Sequence, residues 1–101
     1  MDAQVTAEGS RAIISIVGRF DFNRHREFRS ACEKALAQAD AREIEVDFSR
    51  VDYIDSSALG MLLMLRDTAS ASNKTVKLRN CLGNVKQVLD IANFGKLFTI
   101  A

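Results

Sequence analysis

Between Arg11 and Phe48 the hydrophobic period changes from two to 3.6 and back to two, and nothing else in the chain constrains its fold as much. Ala12, Ile14 and Ile16 alternate with Ile13, Ser15 and Val17, the pattern of a strand with at least one buried face. Phe28, Ala31, Cys32, Ala35, Leu36 and Ala39 then fall on one helical stripe. Ile44, Val46 and Phe48 alternate with Glu43, Glu45 and Asp47, a second strand with one wet edge or face, and Val51 to Ile54 extends or follows it. Strands that alternate with helices require crossovers, which give a sheet with parallel pairs and helices packed on it.

The rest of the chain fits around that unit. Gln4 to Ala7 pairs with the first long strand through a Glu8-Gly9-Ser10 turn, making an N-terminal hairpin. Gly18-Arg19-Phe20-Asp21 leaves the sheet, and Asn23 is placed to cap the first helix by accepting from its free amides. Ser57 to about Ser72 reads as a second helix and Val76 to Cys81 as a strand. Asn84 caps a third helix that turns Val85, Val88, Leu89 and Ala92 inward and stops at Gly95. Leu97 to Ile100 closes with a short strand. The expected fold is an α/β sandwich, a mixed sheet with helices packed on it in the order ββαβαβαβ, as one domain over residues 1–101.

Composition narrows the function. A chain of 101 residues with 48% hydrophobic content builds a core without metal or disulfide. The 14 basic residues against 13 acidic ones, with no block of like charge, argue against nucleic acid and against a polybasic membrane anchor. The longest apolar run, Ala58 to Leu65, is too short to span a bilayer, and Met1-Asp2-Ala3-Gln4 lacks the regions of a signal peptide. A cytoplasmic protein is expected. Cys32 and Cys81 lack metal-ligand or redox spacing and read as buried thiols, and His25, among Arg24, Arg26 and Glu27, reads as a solvated helix residue. No metal or cofactor is expected.

Asp55-Ser56-Ser57-Ala58-Leu59-Gly60 lies where a strand hands over to a helix, the position at which α/β sheets usually place their chemistry. A helix start carries unpaired amides and the positive end of the macrodipole, both of which favour a phosphate on a first-turn hydroxyl. In the helix that follows, Ala58, Leu62, Leu65 and Ala69 form the inner face, and Asp67, Ser70 and Lys74 mark the outer one. Gly60 and Leu63 fall on the outer side near Ser56, with Met64 at the flank, a small apolar patch of the kind that marks partner sites. Spacing alone is equally compatible with a tight N-cap leading into a buried helix.

Val51-Asp52-Tyr53-Ile54 followed by Asp55-Ser56-Ser57-Ala58-Leu59-Gly60-Met61 resembles the phosphorylation loop of STAS domains, the bacterial anti-sigma-factor antagonists. Gly18-Arg19-Phe20-Asp21 is similar to that family's Gly-x-x-Asp turn, and Leu89 to Phe98 to its third helix and closing strand. The resemblance implies a phosphoacceptor at Ser57. It also implies a kinase partner that is an anti-sigma factor with a GHKL-type ATPase fold, and a metal-dependent serine phosphatase that reverses the step. By the same resemblance Asp21 assists phosphoryl transfer or partner contact, and Asp55 shapes the acceptor loop. Asp21, Asp55, Ser56, Gly60, Leu63 and Met64 are the expected partner surface. Two departures stand out: Ala58 occupies a position where many members have glycine, and many members add a C-terminal helix beyond the point where this sequence stops.

Two other readings use the same residues. A small hydrolase would join Ser57 and His25 with one of Asp21, Asp47, Asp52 or Asp55, but the flanks lack a Gly-x-Ser-x-Gly elbow. A receiver-like module phosphorylated on aspartate would open with a β-α unit ending in paired acids, whereas this chain opens with a hairpin. Asp52 reads as a turn former or solvated acid.

Overall fold

The Glu8-Gly9-Ser10 turn does close a hairpin: β1 (Asp2–Glu8) runs antiparallel to β2 (Arg11–Phe20), with Glu8 opposite Arg11. The computed structural model describes residues 2–100. After β2 come α1 (His25–Leu36), β3 (Glu43–Ile54), α2 (Ser56–Ala71), β4 (Thr75–Arg79), α3 (Gly83–Ile91) and β5 (Thr99–Ile100). Short 3-10 turns precede α1 at Phe22–Arg24 and β5 at Phe94–Lys96. The sheet order is β1-β2-β3-β4-β5, and every pair after the first is parallel. All three crossovers step the same way along the sheet, and right-handed connections that do so lay their helices on one face.

The core occupies that face. Ala12, Ile44 and Val76 lie side by side across three strands, as do Ile14, Val46 and Leu78. They join Phe28, Ala31 and Ala35 of α1, Ala58, Leu62, Leu65 and Ala69 of α2, and Val85 and Leu89 of α3 in one cluster. Phe20 sits between Phe28 and Phe48, with ring centroids 4.8 and 6.2 Å away, and so ties the end of β2 to α1 and β3.

The opposite face is polar but not uniformly wet, which corrects the expectation for β3. Glu45 is only 2% exposed, because Arg11 from β2 and Arg79 from β4 close over it at 3.2 and 3.1 Å. Ile13 and Lys77 stand directly opposite Glu45, so the two arginines reach it along the diagonals. A carboxylate tolerates such burial only when paired in this way.

Several boundaries differ from the sequence reading, each for a local reason. Gly18 to Phe20 does not leave the sheet but remains in β2, paired with β3 through two register irregularities, and Gly18 takes the bend at φ +96°. Asn23 caps nothing; Asp21 Oδ1 accepts from the Asn23 amide at 3.1 Å, capping the 3-10 turn that leads into α1. Ala39 lies past the end of α1 and is exposed. Lys74 lies past α2, and its Nζ donates to the Gln38 and Ala41 carbonyls. β4 stops at Arg79 because Asn80 turns left-handed at φ +57°, although Cys81 is still buried. Asn84 falls inside α3, whose cap position is Leu82, and the left-handed Asn93 at φ +59° breaks the chain before Gly95 does. The last strand begins at Thr99, since Leu97 belongs to the end of the preceding 3-10 turn.

Candidate functional site

Register brings the Asp55-Ser56-Ser57 turn and the Gly18-Arg19-Phe20-Asp21 segment together. Phe20 pairs with Ile54 in parallel, so the next residues, Asp21 and Asp55, emerge side by side at the C-terminal ends of β2 and β3. Both are caps. Asp55 is extended at φ −121°, and its Oδ1 accepts from the Ala58 amide at 3.0 Å while its carbonyl accepts from Ala58 and Leu59. Ser56 and Ser57 are therefore the first two residues of α2, and their amides have no helix carbonyl to reach. Ser56 is exposed and Ser57 half-buried, and Ala58 turns fully inward. The glycine-to-alanine departure thus places one methyl group in the core.

The helix behind the loop is apolar on more than one side. The inner set of Ala58, Leu62, Leu65 and Ala69 is buried as expected. Gly60 is exposed, and a Cβ added there would meet nothing within 4 Å. Met64 is 68% exposed. Leu63 departs from expectation: it is half-buried and packs against the core, so the outer patch beside the serines is narrower than the helical wheel implied. Met61 and Met64 instead line, with Phe28, Cys32 and Leu36, an apolar groove of about 380 Å³ between α1 and α2.

Two residues at this end of the sheet stood within the motifs without a role of their own in the sequence. Arg19 and Tyr53 are register partners, and the Arg19 guanidinium lies 4.2 Å over the Tyr53 ring. Arg19 Nε also reaches Asp21 Oδ2 at 3.6 Å, leaving Oδ1 to the Asn23 amide. A cross-strand pair is invisible until the register is known, and a bulge at Asp52 shifts it by one residue here.

The remaining candidates lie elsewhere or are engaged in other contacts. His25 Nδ1 contacts the Phe22 carbonyl at 3.0 Å and its ring stacks on Phe22, so among the described residues it is not hydrogen-bonded to a serine or a carboxylate. Asp47 accepts from Asn80 Nδ2 and the Ser49 amide, both at 2.9 Å. Burial opposes its ionisation, but those hydrogen bonds and Arg79 outweigh burial and hold its carboxyl below the usual range. Asp52 is exposed. Burial pushes the Cys32 thiol up to about 12 and the Cys81 thiol to about 11, so both stay protonated at neutral pH. Among the described residues there is no cluster of three or more metal-binding side chains, and no helix is long and apolar enough to cross a membrane.

A mixed sheet with helices packed on it, and a capped serine turn beside an acidic one at the C-terminal edge of the parallel strands, define the class as a small α/β domain. The family model described as "Mlab, STAS domain" matches residues 3–99, and the chain belongs to the STAS domain family. It is 45% identical over 96 residues to a STAS-domain containing protein of Pseudomonas aeruginosa (strain UCBPP-PA14), covering 95% of this chain and 93% of that one. Among solved structures, the anti-sigma factor antagonist SpoIIAA in its unphosphorylated form aligns over 98% of this chain and 86% of its own, with a TM-score of 0.73 at 21% identity. A putative anti-sigma factor antagonist from Thermotoga maritima aligns over 97% and 84%, with a TM-score of 0.85 at 19% identity. A sulfate transporter family protein from Wolinella succinogenes shares the fold too, over 91% and 74%, with a TM-score of 0.76 at 14% identity. At these identities the structures establish the fold, and function has to be argued from the site.

Proposed function

We propose that the chain is an anti-sigma-factor antagonist: a binding switch that is phosphorylated on Ser57 and acts by engaging or releasing a protein partner, without catalysing a reaction itself. The observation that carries this reading is the position of Ser57 on the first turn of α2, with Asp55 capping the turn and Asp21 beside it. A phosphate on that turn meets free amides and the helix dipole and breaks no backbone hydrogen bond. The phosphorylated and unphosphorylated SpoIIAA structures, with TM-scores of 0.72 and 0.73, give the reading a precedent in a relative of the same fold.

The partner in this reading is a serine kinase of GHKL type that doubles as an anti-sigma factor, opposed by a metal-dependent serine phosphatase. The unphosphorylated chain binds the kinase through the acceptor loop, the exposed backbone at Gly60 and the Met64 side of α2. Phosphate then adds about −1.5 to −2 charges in the middle of that contact. The test is phosphosite mapping by mass spectrometry after incubation with the cognate kinase and ATP. Label is expected on Ser57 in wild type and absent from Ser57→Ala; equal labelling of the two would move the acceptor to Ser56 or out of the loop.

A further inference from the structure

Among the described residues, Arg19 is the one cation paired with either Asp21 or Asp55, and it is tied loosely. Among the described residues, Asp21 has a single ion-pair partner, Arg19, at 3.6 Å, and Asp55 has none. The Arg19 side chain is 60% exposed and the Asp21 carboxylate 16%. The two faces of this contact differ in strength. The Asp21 oxygen that accepts the Asn23 amide at 3.1 Å anchors the carboxylate, while the other oxygen meets Arg19 beyond hydrogen-bond length. Arg19 itself rests on the Tyr53 ring at 4.2 Å, a surface on which a guanidinium can slide without losing contact. The parallel register sets Asp21 beside Asp55, and Asp55 closes the turn that holds Ser57. Arg19, Asp21 and the Asp55–Ser57 turn thus share the C-terminal end of β2 and β3.

We propose that Arg19 is the phosphate-responsive residue of this site: when Ser57 is phosphorylated, its guanidinium leaves Asp21 for the phosphate, and Asp21 is left as an uncompensated acid on the partner-facing surface. The inference rests on Ser57 as the acceptor and adds a second charge change to the switch. A phosphate dianion is the better ligand for the guanidinium fork, which can meet two of its oxygens at once, whereas one oxygen of Asp21 is already committed to Asn23. The charged groups at the phosphate in this account are Asp21 and Asp55, which raise its second pKa, and Arg19, which lowers it; Tyr53 supplies the platform for Arg19.

The test uses full-length protein carrying phosphoserine at position 57, installed during translation, so that Arg19 is assessed whatever serine the kinase chooses. The readout is the second pKa of the phosphoserine, followed by phosphorus NMR, in the background of wild type, Arg19→Gln, Arg19→Lys and Asp21→Asn. Arg19→Gln should raise that pKa by about half a unit or more relative to wild type, with Arg19→Lys between them. Asp21→Asn should lower it, since both the repulsion and the competitor for Arg19 are gone. The Arg19 Nε–H resonance should also move on phosphorylation in wild type. Identical phosphoserine pKa values in wild type and Arg19→Gln would overturn the proposal, even if Arg19→Gln melts earlier, because a purely structural arginine would affect folding and leave the phosphate untouched. Failure of the kinase to label Ser57 is a separate result that counts against the acceptor assignment.

Discussion

The sheet carries two arginine–carboxylate clusters to opposite effect, one joining three strands and the other lying along the end of a single strand. Around Glu45, two arginines from flanking strands hold a carboxylate that is 2% exposed, at 3.1 and 3.2 Å. Around Asp21, one arginine that is 60% exposed approaches at 3.6 Å and spends its other face on an aromatic ring. The first cluster has traded water for fixed partners, so removing a member leaves a desolvated group behind. In the second the arginine is still solvated, while Asp21, 16% exposed, keeps the Asn23 amide, so a change of ionic partner costs less there. The first cluster bridges β2, β3 and β4; the second leaves one carboxylate oxygen weakly held, where a new ligand can compete.

Breaking the buried cluster should have the largest effect. Glu45→Ala is expected to destabilise the protein by about 2–3 kcal/mol, below the figure for fully buried pairs because Arg11 and Arg79 can return to water. On a domain of this size that is a fall in melting temperature of roughly 10 °C. A fall of only a degree or two would mean that Glu45 is no more structural than Asp21.

Intermediate effects are expected at the acceptor loop, where fold and binding can be separated. Asp55→Ala removes the cap on Ala58 and should cost about 1 kcal/mol. Gly60→Ala should have the opposite sign on stability, a gain of about 0.5–1 kcal/mol, since the added methyl meets nothing and the helix loses a glycine. The same methyl should weaken kinase binding if the partner packs on the backbone at Gly60. A variant that melts higher and binds as well as wild type would take Gly60 out of the interface.

The smallest effects on stability belong to the exposed cluster. Arg19→Gln should change stability by less than about 0.5 kcal/mol, and 0.5 M salt should weaken the Arg19–Asp21 pair while leaving the Glu45 cluster in place. Asp21→Ala should fall slightly further, by up to about 1 kcal/mol, because it also caps the 3-10 turn. Thermal melts of the two variants beside Glu45→Ala, at low and high salt, test the ordering.

The difference between the clusters also explains what could be read from the sequence. Periodicity in Ile14, Val46 and Leu78 and in the Phe28–Leu36 stripe exposes the layered fold, because burial on a regular element repeats. The strand-to-helix handover at Asp55 to Ser57 was legible because its residues are contiguous. Glu45 was not, since an acid alternating with apolar neighbours looks solvated until Arg11 and Arg79 are brought in from 34 positions away on either side. The caps failed for a related reason: Asn23 and Asn84 have the right chemistry, but a 3-10 turn and an extended Leu82 occupy the helix starts. Leu63 was misplaced because a helical wheel cannot tell which flank of α2 a neighbouring element covers.

The central claim is that phosphate on Ser57 changes binding strongly and folding weakly. The helix dipole offers about 0.3–1 kcal/mol in favour of the phosphate, and Asp55 and Asp21 oppose it by a similar amount across screened solvent. A docked partner strips that solvent away, and a charge left without its hydrogen bonds then costs several kcal/mol. Titration calorimetry of the kinase with the phosphorylated and unphosphorylated chain, run beside thermal melts of both forms, measures the two quantities together. The account predicts a loss of at least roughly a hundredfold in affinity, with melting temperatures within a few degrees of each other. Equal affinities with a large melting shift would mean that the phosphate acts through the fold, and would contradict it.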